Sequence, residues 1–138
     1  MATVKMSSKV PVTADQLWEA IGHFNALPDW HPAVQKSDLE EGGSIRRLTL
    51  AGGGEIVERL EQSSDGDGRS YSYSILESPL PVAGYTASIK VTDDDAGGCT
   101  IEWSSSFAPS GAPENDAIKV IEGIYQAGFD NLKKMFGG

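Results

Sequence analysis

Along the first dozen residues apolar and polar positions alternate: Val4, Met6, Ser8 and Val10 fall on one face, Lys5, Ser7 and Lys9 on the other. A period of two predicts a half-buried strand. The alternation stops at "PVTADQLWEAI", where Thr13 and Gln16 have the spacing of a capping box and Leu17, Trp18 and Ile21 form the stripe of a short helix. Pro28 and Pro32 disfavour helical geometry at Leu27 and His31, so at most one further helical turn fits between them. Short alternating runs then follow over 34–39, 45–50, 56–60, 71–75, 85–91 and 100–107. The turn signals between them are "EEGGS", "AGGGE", "SSDGDG", "SPLPVAG" and "TDDDAGG". Strands of this length with Gly-rich turns predict an antiparallel meander.

After "PSGAPEND" the period changes. Ala117, Ile118, Ile121, Ile124, Tyr125, Gly128, Phe129, Leu132 and Met135 recur at helical spacing, which predicts one long helix over 113–136. Pro113 suits its first turn, and Glu114 and Asp116 suit the positive end of its dipole. A stripe that wide needs a broad concave partner, and the meander is the available one. The expected class is α+β: a curved seven-stranded antiparallel sheet, two short helices after the first strand, and the long C-terminal helix over the concave face.

Composition narrows the function. A chain of 138 residues suits a single domain, 1–138, with a real core. Lys and Arg number 11 against 20 Asp and Glu, and the net charge of −9 argues against nucleic acid and anionic membrane surfaces as partners. The single Cys99 excludes an internal disulfide. With no signal peptide and no apolar stretch of spanning length, a cytoplasmic location without membrane insertion is expected. His23, His31 and Cys99 lack metal-ligand spacing, "AGGGE" lacks the residues of a phosphate loop, and there is no nucleophile elbow. No βαβ unit for a dinucleotide is present either, so neither metal nor cofactor is expected.

The phrases "FNALPDWHPAV", "GSIRRLTLAGGGEIVERLE", "YSYSILESPLPVAGYTASIKV" and "IEWSSSFAP…IYQAGFDNLKKM" run along nearly the whole chain. They resemble the START-like superfamily (SRPBCC, the helix-grip fold of the birch pollen allergen), and within it the bacterial polyketide cyclase/dehydrase-like group. The plant abscisic acid receptors are more distantly similar. The resemblance implies a hydrophobic cavity between sheet and long helix, open to lipids, polyketides or other apolar molecules. It places Lys36 where the receptors have the lysine that meets the ligand's carboxylate. Arg46, Leu48 and Leu50 would face inward on one strand, Ile56 and Glu58 on the next, then Tyr73 with Ile75, and Tyr85. Val120, Ile124 and Gly128 would roof the ligand. "LAGGGE" matches the receptors' gate loop and "SPLPV", with Leu80, their latch. The gate carries three glycines and the latch lacks the receptors' His-Arg pair, which argues against a hormone-triggered partner switch.

Within this frame several residues have two readings. Trp30 and His31 read as a packed corner aromatic beside a partly exposed His, or His31 as an acid, base or ligand. On the last strand alternation favours Trp103 inward, whereas a gapless match from the helix favours Glu102. Period two puts Ile56, Glu58 and Leu60 on the apolar face and Val57, Arg59 and Glu61 outside. Glu58 is then either a site residue kept at a cost to the fold, or half of a structural pair with Arg46. On the first reading, which is the one expected, Glu58→Leu leaves stability unchanged or higher; on the second it strands a buried cation.

The function expected is binding of a small apolar, aromatic or polyketide-like ligand by a monomer or weak homodimer. The alternative is a cofactor-free cyclase, dehydratase or isomerase, with Glu58 as general base and Tyr85 or Tyr73 as acid. Lys36 or Arg46 would then stabilise an oxyanion. A third reading is an interaction protein whose cavity is filled by its own side chains. Mobile Gly-rich loops count against that one.

Overall fold

The N-terminal alternation becomes β1 (Ala2–Val10), with Ala2, Val4 and Val10 buried. The expected capping box starts α1 (Ala14–Ile21): Gln16 N donates to the Thr13 hydroxyl at 3.2 Å, and Thr13 N donates to Gln16 Oε1 at 3.0 Å. The two prolines leave one turn, α2 (Leu27–Trp30). Then come β2 (Val34–Glu40), a 3-10 turn at Glu41–Gly43, β3 (Ile45–Leu50), β4 (Glu55–Ser64), β5 (Ser70–Glu77), β6 (Val82–Asp93), β7 (Cys99–Pro109) and α3 (Glu114–Phe136). This computed structural model describes residues 2–64, 69–94 and 97–136. Met1, most of the "SSDGDG" turn and the middle of "TDDDAGG" lie outside the described residues.

The seven strands form one sheet in the order β1-β7-β6-β5-β4-β3-β2, every neighbouring pair antiparallel. This is the expected helix-grip α+β architecture. Six strands form the meander, and β1 adds to β7 at its far end, leaving β1 and β2 as the two edges. Among the described residues no helix is long and apolar enough to cross a membrane.

Bulges shift some faces. β4 slips register between Val57 and Glu58, and Val57, expected outside, is buried. A bulge re-aims the residues around it, which strict period two does not anticipate. β6 begins at Val82, earlier than position 85, because its ladder with β7 slips between Ala83 and Thr86 and resumes.

In α3 the buried stripe is Ala117, Ile121, Tyr125, Gly128, Phe129 and Leu132. Val120 and Met135 stand outside it, 39% and 43% exposed. Val120 therefore does not roof the interior. It sits one turn before Ile124, and at 3.6 residues per turn each such step rotates a side chain by about 40°. Ile124 is already at the margin of the stripe, so Val120 is carried past it into solvent.

The helix is locked to the corner after α2 at one point. His31 Nε2 donates to the Ile124 carbonyl at 2.7 Å, and Asn131 Nδ2 donates to the Trp30 carbonyl at 2.8 Å. Between these bonds lies Gly128, where a Cβ would stand 2.9 Å from Trp30, 3.0 Å from His31 and 3.3 Å from Trp103. The mid-helix glycine is explained by close approach of three aromatic rings. Trp103, inward on β7, stacks on Tyr125 with ring centres 4.1 Å apart. Glu102 faces out, 3.8 Å from Lys5.

Two glycines of α3 should thus respond with opposite signs. Gly128→Ala overpacks the ring cluster at about 1–3 kcal/mol, more than the helix gains. Gly123→Ala meets nothing within 4 Å and should add about 0.5–1 kcal/mol. Urea melts of both variants measure this, and a stabilised Gly128→Ala would contradict the packing argument.

Candidate functional site

Cross-strand register brings the inward residues together. Arg46 is paired with Glu58 and Leu48 with Ile56 across β3 and β4, and directly opposite residues share a face. Leu60 is opposite Tyr73, and Tyr73 is opposite Ala87. Of these, Leu48, Ile56, Glu58 and Tyr73 line a cavity of about 300 Å³ together with Tyr85 and Trp103.

Its apolar wall comes from Leu48, Leu50, Ile56, Ile75 and Leu80, its aromatic wall from Tyr73, Tyr85 and Trp103, and its roof from Ile124. Glu58 is the charged residue in the lining. The cavity opens beside the β3–β4 turn, whose exposed Gly52 and Gly53 lie at the rim. Gly53 and Gly54 both have φ of +95°, a left-handed conformation that side chains disfavour, which accounts for glycine in this loop.

Several expected residues are elsewhere. Lys36 points outward, its side chain 68% exposed and its Nζ 3.5 Å from Asp38. The cause is a bulge between Val34 and Lys36: after it Lys36 pairs with Thr49, and Ser37 with the inward Leu48. Gly128 faces the Trp30–His31–Trp103 cluster instead of the cavity, and Val120 faces solvent. Arg46 lies behind Glu58, fully buried and outside the lining. Residues not anticipated are Leu27, Ala33 and Val34, brought in by α2 and the corner after it, and their only signal in sequence is nearness to the two prolines. His31, one of whose two readings was an acid, base or ligand, lines the cavity, as do Ala51, Gly52 and Gly53 of the expected gate loop.

The Arg46–Glu58 pair is structural in its geometry. Arg46 Nε and Nη2 both lie 2.7 Å from Glu58 Oε1, with the guanidinium unexposed and Glu58 4% exposed. Arg46 Nη1 donates to the Phe24 carbonyl at 2.6 Å and, at 3.4 Å, to the Tyr71 hydroxyl. The guanidinium carbon also sits 4.2 Å from the centre of the Phe24 ring and 5.0 Å from that of Tyr73. Burial pushes the Glu58 carboxyl above its ordinary range, and Arg46 opposes the rise. Arginine does not deprotonate, so a neutral Glu58 would leave a buried cation uncompensated; the pair is ionic.

The tyrosines are also engaged. Trp103 Nε1 donates to the Tyr73 hydroxyl at 3.0 Å, and the hydroxyls of Tyr85 and Tyr125 are hydrogen-bonded to each other. Burial raises the pKa of Tyr73 and of Tyr85 well above the ordinary phenol value. His31 is 2% exposed, not partly exposed as its sequence position suggested. Its Nε2 donates to Ile124 O, and its Nδ1 accepts from Ala33 N at 3.2 Å, which defines a neutral tautomer. Burial lowers its pKa from the ordinary 6.5. His23 is exposed on the surface. Among the described residues no group of three His, Cys, Asp or Glu side chains is placed to hold a metal ion.

A family model described as polyketide cyclase/dehydrase and lipid transport matches residues 1–137 of this chain. No curated protein matches it. Among solved structures, the protein XoxI from Bacillus cereus superposes with a TM-score of 0.95 at 37% identity, covering 99% of this chain and 96% of that one. A START superfamily protein from Mycobacterium smegmatis gives 0.80 at 11% identity, covering 98% and 97%. The Zhui aromatase/cyclase from Streptomyces sp. R1128 gives 0.77 at 20% identity, covering 99% and 93%. The last two are likenesses of fold.

The pair reverses the expectation that Glu58 is dispensable for stability. Glu58→Leu should cost about 3–5 kcal/mol by stranding Arg46, and Arg46→Leu/Glu58→Leu should recover most of that loss. Thermal melts decide it; a single variant as stable as wild type would return Glu58 to a purely functional role.

His31 yields a pH dependence. Its folded pKa lies below its unfolded one, so on acidification the unfolded chain takes up the proton first. Its contribution is complete above about pH 6.5 and is lost as pH falls toward the folded pKa. Between about pH 7.5 and 5.5 wild type should lose stability relative to His31→Gln, which keeps a donor for Ile124 O. Glu58, with its raised pKa, contributes the opposite sign in both proteins and cancels in the difference. Parallel Tm-against-pH curves would show that His31 does not titrate in folding.

Proposed function

The chain belongs to the polyketide cyclase/dehydrase and lipid transport family of the START-like (SRPBCC) superfamily, and from that premise we propose that it binds a small, mainly apolar aromatic or polyketide-like molecule in the cavity between sheet and C-terminal helix. The observation that carries this reading is the cavity itself. About 300 Å³ lies between closely packed walls of Leu, Ile, Tyr and Trp, at the lower end of the range for small-molecule sites. A chain that needed only a scaffold would close such a space with side chains. The rim at Gly52 and Gly53 supplies an entry.

Binding is favoured over turnover by how the polar groups are held. A general base at Glu58 would have to work with one oxygen committed to Arg46, and an acid at Tyr85 with its hydroxyl bonded to Tyr125 and its pKa raised by burial. Efficient proton transfer wants a pKa near the working pH. Of the two oxyanion partners in the catalytic alternative, Lys36 is on the outside and Arg46 stands behind Glu58, outside the lining.

Filling the cavity tests the reading. Ile56→Trp, at the rim wall, should weaken binding of a neutral bicyclic aromatic by about tenfold or more while leaving the fold intact. Native mass spectrometry of protein purified from its source should show a co-purifying small molecule in wild type and not in the variant. Unchanged binding in a folded Ile56→Trp protein would place the ligand elsewhere.

A further inference from the structure

The polar end of the cavity has an asymmetry that sorts ligands by chemistry. Both nitrogens that Arg46 turns toward Glu58 fall on Oε1, so Oε2 takes neither contact. Glu58 lines the cavity, whereas Arg46 stands behind it. The ion pair therefore shows its anionic side to the ligand and hides its cationic side.

The second polar group there is Tyr73, whose ring centre lies 5.0 Å from the Arg46 guanidinium carbon. Its oxygen already accepts from Trp103 Nε1 at 3.0 Å. An oxygen so occupied still carries its own proton, for which the Tyr85 hydroxyl and a ligand oxygen compete as acceptors. A carboxylate acceptor and a phenol thus both line the cavity, each held against the same guanidinium. Among the described lining residues there is neither Lys nor Arg, and both ring nitrogens of His31 are bonded to backbone.

We propose that the cavity selects a neutral aromatic ligand bearing a hydroxyl, which donates to Glu58 Oε2 and accepts from Tyr73, and that it rejects carboxylates. This rests on the binding reading above. A hydroxyl satisfies both groups at once. An ether satisfies only Tyr73 and leaves Glu58 Oε2 without a donor, and a carboxylate brings like charge against Glu58 in a poorly solvated space. Sites built to bond a hydroxyl discriminate strongly against analogues that lack it.

Three probes with one ring system test this: 2-naphthol, 2-methoxynaphthalene and 2-naphthoate, titrated calorimetrically into the full chain near neutral pH. Wild type should bind the naphthol at least about tenfold more tightly than the ether, and the naphthoate more weakly than either. In Arg46→Leu/Glu58→Leu, which strands no charge, naphthol and ether should bind alike. Should that variant not fold, Arg46→Met/Glu58→Gln removes both charges and keeps an acceptor, so the deficit of the naphthoate should shrink while the naphthol keeps its lead. Naphthoate or ether binding as tightly as naphthol to wild type would overturn the selection while leaving the cavity as a binding site. A naphthol preference that survives in the double variant would overturn the role of Glu58. Failure of all three probes to bind would remove the binding reading and this inference with it.

Discussion

One buried guanidinium organises the inside of this protein. Arg46 has no exposure, and an unpaired charge there would cost several kcal/mol even after relaxation. It is held by Glu58 on the neighbouring strand, by the Phe24 carbonyl on the link between α1 and α2, and by the rings of Phe24, Tyr71 and Tyr73. The cation so ties the helical link to three neighbouring strands, β3, β4 and β5. It also dictates that Glu58 stay ionised next to an apolar space. The charge at the cavity's polar end follows from the arginine behind it, and one ion pair bears on both the packing and the cavity wall.

A second constraint acts at the other side of the cavity. Trp30, His31 and Trp103 approach α3 closely because Gly128 has no Cβ, and His31 bonds the Ile124 carbonyl. This sets the height of the helix above the sheet. The rings of Trp103 and Tyr125 then fill the interior beneath the helix, and the space left between them and the β3–β4 turn is the cavity. Its volume is what two rigid attachments leave over, which explains why it stays open although its lining is apolar.

The order of elements and the class of fold were legible in the chain because each rests on local periodicity: period two for the strands, 3.6 for α3, a capping box for α1, prolines bounding α2. Inward positions on unbulged stretches, such as Leu48, Tyr73 and Trp103, were legible for the same reason. Lys36 and Val57 were not. Each adjoins a bulge, and a bulge depends on how two strands settle against each other, with no mark in either strand alone. Val120 failed for a related reason, since the margin of a helical stripe depends on how far the neighbouring layer extends.

The role of Glu58 shows the limit most plainly. Sequence alone determined that an acidic residue sits on the apolar face of a strand, two positions from Ile56 and from Leu60, with Arg46 on the strand before. Whether it stands at a cavity or balances a charge depended on distances between strands, and the tertiary structure shows it doing both: Oε1 carries the arginine, and the residue lines the cavity. His31 is alike, a residue beside a proline whose Nδ1 has a local partner in Ala33 N but whose Nε2 meets Ile124 O only when α3 packs on the corner. Periodicity is a property of the chain and can be read along it. Electrostatic partnership is a property of space, because charges interact through distance and solvent exposure, and both arise only when distant segments pack.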